Sequence, residues 1–203
     1  MLEQLPELSR GGASRLDPAD YLADFSVRYQ DTSGIFWKLE RRQEFREPGV
    51  PSWSAAAAGD WLRALSLIEP MRAEVAAEFS AVPGLQRRRI RIVERPVSPY
   101  LQWEMHVLRM RAEEGEIVRA VDAKHVRDRE HRRPLPELVI IGGSVLYQIL
   151  YTSDGTLSGA LRSTDAGLIG QVTDELAVLF REGEDIESFF AREIAALPPP
   201  ARA

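Results

Sequence analysis

One stretch constrains the fold of this 203-residue chain more than any other: Arg88 to Val121, RRIRIVERPVSPYLQWEMHVLRMRAEEGEIVRAV. Ile90 and Ile92 alternate with Arg89 and Arg91, which gives a strand one apolar face and one charged face. Ser98-Pro99 comes next. The serine hydroxyl suits a helix N-cap, and proline suits the first helical position, where a missing N–H costs nothing. Tyr100, Trp103, Val107 and Met110 recur at three- and four-residue spacing and lay an apolar stripe along one helix face. Gly115 fits the helix end, and Ile117 to Val121 the next strand. Two strands joined by a helix within about thirty residues run parallel with a right-handed crossover. The chain is therefore expected to be α/β, with helices lying on a sheet.

The remaining segments extend that sheet. Asp17-Pro18 opens a short helix carrying Tyr21, Leu22 and Phe25. Ile35 to Glu40 reads as a strand, with Ile35, Trp37 and Leu39 on one face and Phe36, Lys38 and Glu40 on the other. Ser54 to Ile68 reads as one helix with Trp61, Leu62, Leu65 and Ile68 as its buried stripe, and Pro70 breaks it before a helix over Met71 to Phe79. Lys124 to Arg133 is a polar, mostly basic loop. Leu138 to Ile141, Val145 to Tyr151 and Thr156 to Leu161 form an antiparallel meander with turns at Gly142-Gly143 and Ser153-Asp154-Gly155. Helices from Asp165 to Phe180 and from Asp185 to Ala195 follow. The expected organisation is a single α/β domain over 16–196 with a mixed β-sheet flanked by helices, a mobile N-terminus over 1–15 and a frayed tail over 197–203.

Composition narrows the function classes. There is no cysteine, which removes disulfides, thiolate metal sites and cysteine nucleophiles. The net charge of −5 does not favour nucleic acid as the main partner. No apolar run reaches the roughly 18 residues of a membrane span, and the first residues lack the basic-then-apolar order of a secretory signal. A cytoplasmic protein with no membrane partner is expected. No nucleophile elbow, Walker loop or dinucleotide fingerprint is present, and the histidines His106, His125 and His131 have no ligand-like spacing. No cofactor and no metal are expected.

Five spaced elements occur in order: FWKLE (Phe36 to Glu40), RIRIVERPVSPY (Arg89 to Tyr100), Trp103-Glu104, Gly115-Glu116 and Arg119. Over roughly residues 25 to 190 they resemble an uncharacterised family, a domain of unknown function, from high-GC Gram-positive bacteria. Its members are often encoded beside helix-turn-helix regulators, and ELVIIGG (Glu137 to Gly143) stands where that family usually carries Asp-Phe-aromatic-Leu-Phe-Asp. The resemblance implies a regulatory role and a helix-turn-helix regulator or another protein as partner. The element order also looks like half of a phospholipase D-type domain. Aligned on Gly142-Gly143, that family's His, Lys and Asp fall on Leu135, Glu137 and Gly142. Leucine cannot attack a phosphodiester and glutamate repels phosphate, so this likeness implies a non-catalytic relative. Fold analogy does not by itself supply function.

Lys38, Arg89, Arg91, Tyr100 and Arg119 are the candidate ligand-binding residues. If the FWKLE strand lies beside the Arg88 strand, forked arginine hydrogen bonds could hold a small anionic or zwitterionic ligand. The competing reading is a structural ion-pair network where helices cover a sheet. Should the protein be an enzyme, a transferase or hydrolase acting on a phosphate- or tRNA-linked substrate, Glu40 or Glu104 would be its acid or base. A toxin-like protein held by an antitoxin is a third reading. The basic loop over 124–133 could touch phosphates, but it also holds Asp128 and Glu130 and lacks aromatics for base stacking. The acidic stretch Glu182 to Glu187 opposes it in sign, which suits self-association into a homodimer or docking of a basic partner. A non-catalytic regulatory or interaction protein is the leading expectation.

Overall fold

The computed structural model describes residue 2, residues 13–131 and residues 133–200. Most of the segment expected to be mobile, and the last three residues of the tail, lie outside the described residues; Ser14 and Arg15 join a strand. In chain order the elements are β1 (Ser14–Leu16), α1 (Pro18–Gln30), β2 (Gly34–Glu40), α2 (Pro51–Ala57), α3 (Trp61–Ser66), α4 (Met71–Ala81), β3 (Leu85–Val93), α5 (Pro99–Glu113) and β4 (Ile117–Asp122). A 3-10 helix (Ala123–Arg129) leads to β5 (Glu137–Ile141), β6 (Val145–Tyr151), β7 (Leu157–Ser163), α6 (Ala166–Glu182), β8 (Glu184–Asp185) and α7 (Ile186–Glu193).

The strands form one mixed sheet in the order β1-β7-β6-β5-β2-β3-β4-β8. The unit β3-α5-β4 stands as the sequence predicts. Ser98 Oγ accepts from the Leu101 N–H at 3.1 Å, and β3 and β4 pair in parallel with Ile90 opposite Arg119. On its other side β3 runs parallel to β2, with Lys38 opposite Arg89 and Glu40 opposite Arg91. β2 also pairs antiparallel with β5, so it is the hinge between a parallel half and the antiparallel meander.

Strand alternation sends Trp37, Leu39, Ile90, Ile92, Leu138 and Ile140 to one face. There α6 lays down Ile169, Val172, Leu176 and Leu179, all buried. Each such side chain contributes about 1.5–3 kcal/mol of burial. The other face is divided. Over the meander, α1 packs Tyr21 and Tyr29 onto Phe36, Val139 and Tyr147. Over β3 and β4, α5 is wedged between two clusters. Tyr100, Trp103 and Met110 meet α2 to α4, while Leu101, Met105 and Leu108 meet β4 and α7. The second of these apolar faces is absent from the single-stripe reading, because a helix buried on two sides has no clean polar face to reveal the stripe.

Other departures have local causes. The single helix expected over Ser54 to Ile68 is two. Gly59 takes a φ of +81°, which favours glycine and ends α2, and Asp60 Oδ1 caps α3 by accepting from the Arg63 N–H at 3.2 Å. The break rotates Leu62 out of the expected stripe to 81% exposure, while Trp61, Ala64 and Ile68 stay buried. The first part of the basic loop lies in a 3-10 helix (Ala123–Arg129) pinned by buried Val126.

Candidate functional site

The register of β2 against β3 brings the expected charges together in pairs. Lys38 Nζ lies 2.7 Å from Glu40. Arg89 bridges Glu40 at 2.8 Å and Glu116 at 2.7 Å, and Arg111 meets Glu116 at 2.5 Å. Arg91 Nε donates to Glu104 on α5 at 2.7 Å. Its Nη1 donates to the Arg42 carbonyl at 2.5 Å. Arg91 is wholly buried, and Glu40, Arg89, Glu104 and Glu116 are nearly so. Burial alone would raise both Glu40 and Glu116. Arg89, Lys38 and Arg91 instead hold the Glu40 carboxyl well below the carboxylate range, and Arg89 and Arg111 bring Glu116 down to about 2. Glu104 moves the other way, raised by burial and by Glu40 against the pull of Arg91.

This is a cross-linked ladder beneath α5, and the competing reading of the charged strand faces matches its geometry. The five candidate ligand residues do not share one open surface. Arg89 donates to Glu40 and Glu116, and Arg91 to Glu104 and to backbone carbonyls, while the buried Arg91 Nη2 has no hydrogen-bond partner among the described residues. Tyr100 is buried with its hydroxyl donating to Glu47 at 2.9 Å. Lys38 is partly exposed but paired. Arg119 projects to the opposite face, because Ile90 is its register partner, and lies 5.6 Å from the Phe180 ring centroid and 3.8 Å from Asp185. The conditional acid-base residues Glu40 and Glu104 sit inside the same ladder. Sequence spacing placed the charges on common strand faces; the neighbouring of β2 and β3 and the helix that seals them are tertiary.

An open cleft lies one step away, at the carboxyl end of β2, where the parallel and antiparallel halves of the sheet part. Crevices beyond strand ends at such a change of direction are a recurrent place for ligands. The cleft holds about 500 Å³ between Arg41 to Glu44, Glu94, Pro134 to Glu137, and Ile149 to Tyr151. Glu137, the first residue of β5, is a buried lining residue. Its Oε1 accepts from the backbone N–H groups of Arg41 at 3.0 Å and Arg42 at 2.7 Å. Burial, with Glu40 adding, pushes its carboxyl up to about 7, against the pull of the Arg42 and Arg41 amides and Arg91. Glu40, Glu104 and Glu116 each have a guanidinium within hydrogen-bond reach; Glu137 has no ion pair among the described residues. Arg41 is bound by Glu94 at 2.6 Å and Glu130 at 2.5 Å. Glu130 Oε1 also accepts from the Leu135 N–H at 2.9 Å, which fixes the cleft wall.

The sequence reading considered Glu137 only through an alignment and did not select it as a site. A lone acidic residue heading an apolar strand was the signal present. Of the histidines, His106 lies between the Trp61 and Phe190 rings. Among the described residues no group of three His, Cys, Asp or Glu could hold a metal ion, and no helix is long and apolar enough to cross a membrane. Arg129 of the basic loop meets Glu182 of the acidic stretch at 3.3 Å, so the opposed patches touch within one chain.

The fold and site define a class: an open mixed-sheet α/β domain with a charged strand face sealed by helices and a cleft at the carboxyl end of its central strand. Residues 23–191 match the family described as a domain of unknown function, DUF6879, and the chain belongs to that family. No curated protein matches. A solved structure titled as TrmBL2, an archaeal chromatin protein with a novel mode of DNA binding, is similar over 90% of this chain at 9% identity and a TM-score of 0.40. The similarity spans 59% of that longer chain.

Proposed function

We propose that the protein is a binding module that takes a small ligand in the Glu137 cleft and signals its occupancy to a protein partner. The helix-turn-helix regulator implied by the family resemblance is the leading choice of partner. One observation carries the reading: a roomy cleft at the strand-end switch holds a buried carboxylate that forms no ion pair among the described residues. Arg89 and Arg91 lie buried in ion pairs and Arg119 projects to the opposite sheet face, which weighs against one anion held by all three. The cleft wall offers a route outwards, since Arg41 links β2 to Glu130 and Glu130 holds Leu135. A filled cleft would bear on that wall and on the 3-10 helix that precedes it.

The test is a thermal-shift and native-mass screen of metabolites on gently purified protein, repeated on Pro134→Trp. Pro134 is an exposed lining residue, so a tryptophan there obstructs the mouth without entering the core. Ligands that shift the wild type and not the variant support the reading. A screen without ligands sinks it.

Proton affinity near neutrality in a cleft favours a second reading. In it Glu137, in place of Glu40 or Glu104, is the general base of a transferase or hydrolase. Turnover of a bound ligand, abolished by Glu137→Gln, would establish that reading, and a ligand recovered unchanged after prolonged incubation would dismiss it.

A further inference from the structure

We infer that the Glu137 cleft recognises an organic ammonium, a small primary amine with an apolar or aromatic body, whose cation sits on the Glu137 carboxylate. The inference rests on the binding reading above and adds the chemical class of the ligand.

Three observations point to that class. First, among the described residues Glu137 is a buried carboxylate with no side-chain cation in hydrogen-bond reach, Arg91 acting on it from farther off. Glu40 and Glu116 on this side of the sheet and Glu104 on the overlying α5 have guanidinium nitrogens at 2.8, 2.7 and 2.7 Å. Among the described residues Glu137 has the amides of Arg41 and Arg42 as its hydrogen-bond donors. A carboxylate offers about four lone-pair sites, so two N–H donors leave acceptor capacity for an ammonium. Leaving a buried charge uncompensated is expensive, and a bound cation supplies the compensation.

Second, the charge around the cleft favours a cation. Arg41 is over-neutralised by Glu94 and Glu130 together. The Arg42 side chain donates to the carbonyls of Glu44 and Ser153 and meets no carboxylate among the described residues, but Glu44 and Glu94 share the lining with it. An anion entering beside Glu137 would meet a like charge. A divalent metal has no third acidic or imidazole ligand among the described residues.

Third, the walls suit a carbon body. Leu135, Ile149 and Leu150 line the cleft with Tyr151, whose ring packs 5.0 Å from Phe45, centroid to centroid. Arg42 already lies 5.7 Å from the Tyr151 ring centroid, so that ring accepts cations near its face.

The test is calorimetric titration of the full chain with matched triads: hexyl, phenethyl and indolylethyl amines, the corresponding alcohols, and the corresponding carboxylates. At least one amine is expected to bind about 10-fold or more tightly than its alcohol, the gain typical of a charge-assisted hydrogen bond. Its carboxylate should not bind. Glu137→Gln should erase the amine preference, and Pro134→Trp should weaken amine and alcohol alike. Wild-type protein supplies a measurement free of mutation. The groups facing Glu137 are Glu40 from β2, Arg91 from β3, Tyr151 from β6 and the Arg41 and Arg42 amides. With these fixed, amine affinity should fall about 10-fold between about pH 8 and about pH 5.5, as Glu137 takes a proton while the amine stays charged. Alcohols or carboxylates that match the amines, blocked by Pro134→Trp, would overturn ammonium recognition and leave the cleft a ligand site. If no triad binds, both readings fall.

Discussion

Replacing Arg89 by methionine measures what the buried ladder is worth. Arg89 is 7% exposed, and its guanidinium is the shared counter-ion of Glu40 and Glu116. Methionine keeps much of the apolar stem but leaves each carboxylate one cation, Lys38 for Glu40 and Arg111 for Glu116. Removing one partner of a buried pair costs about 3–5 kcal/mol. The two remaining cations place the expected loss near the lower end, about 3–4 kcal/mol. With an unfolding entropy near 2.1 cal/mol/K per residue, that loss lowers Tm by about 8 °C in a chain of this length. Urea unfolding at several pH values is the assay. Glu116 and Glu40 have depressed folded-state values, so their contribution is present above the ordinary glutamate range and lost as pH falls through their folded values. Arg89→Met lets both rise towards or beyond that range. The gap between wild type and variant is therefore greatest near neutrality and narrows in acid. A loss under about 1 kcal/mol, the worth of an exposed pair, or a gap that stays constant into acid, would refute the reasoning.

Arg119→Gln, by contrast, should cost less than about 1 kcal/mol in the same assay, since Arg119 meets Asp185 at 3.8 Å near the surface. Glu137→Gln tests the cleft carboxylate: its folded value near 7 is raised from 4.5, so wild-type stability should fall as pH rises through that window. At about 1.4 kcal/mol per unit the total is about 3 kcal/mol, and the glutamine variant should lack this slope in urea midpoints taken across the window. Trp37→Ala removes a 2%-exposed ring packed edge-on against Phe180 at 5.3 Å and should cost about 3–5 kcal/mol in chemical denaturation. Gly159→Ala places a Cβ 2.1 Å from the Leu16 carbonyl oxygen at a φ of +118°, so hydrogen exchange should show β1 released from β7.

Much of the fold was legible because its signals are local. Alternation at Ile90 and Ile92, the Ser98-Pro99 cap, the continuous run Leu138 to Ile141 and the turn at Gly155 depend on near neighbours, and each stands where it was read. Strands β1 and β8 were not legible. They have three and two residues, too few for a period, and exist because β7 and β4 offer them an edge. The exposure of Leu62 escaped for a related reason: a one-residue glycine break rotates every later side chain of the helix.

Composition and periodicity alone determined the α/β class, the parallel unit around α5, and which charges share a strand face in β2 and in β3. These follow from which side chains a strand turns to the same face. Only the tertiary structure decided what those charges are for. α5 closes over Arg89 and Arg91 and brings Glu104 and Glu116 to them, which sets these charges in an internal ion-pair ladder. The antiparallel arrival of β5 beside β2 then leaves Glu137 on two backbone amides at the mouth of a cleft. A carboxylate's role is set by which cations reach it and how much water it keeps, and both depend on residues about a hundred positions away in the chain.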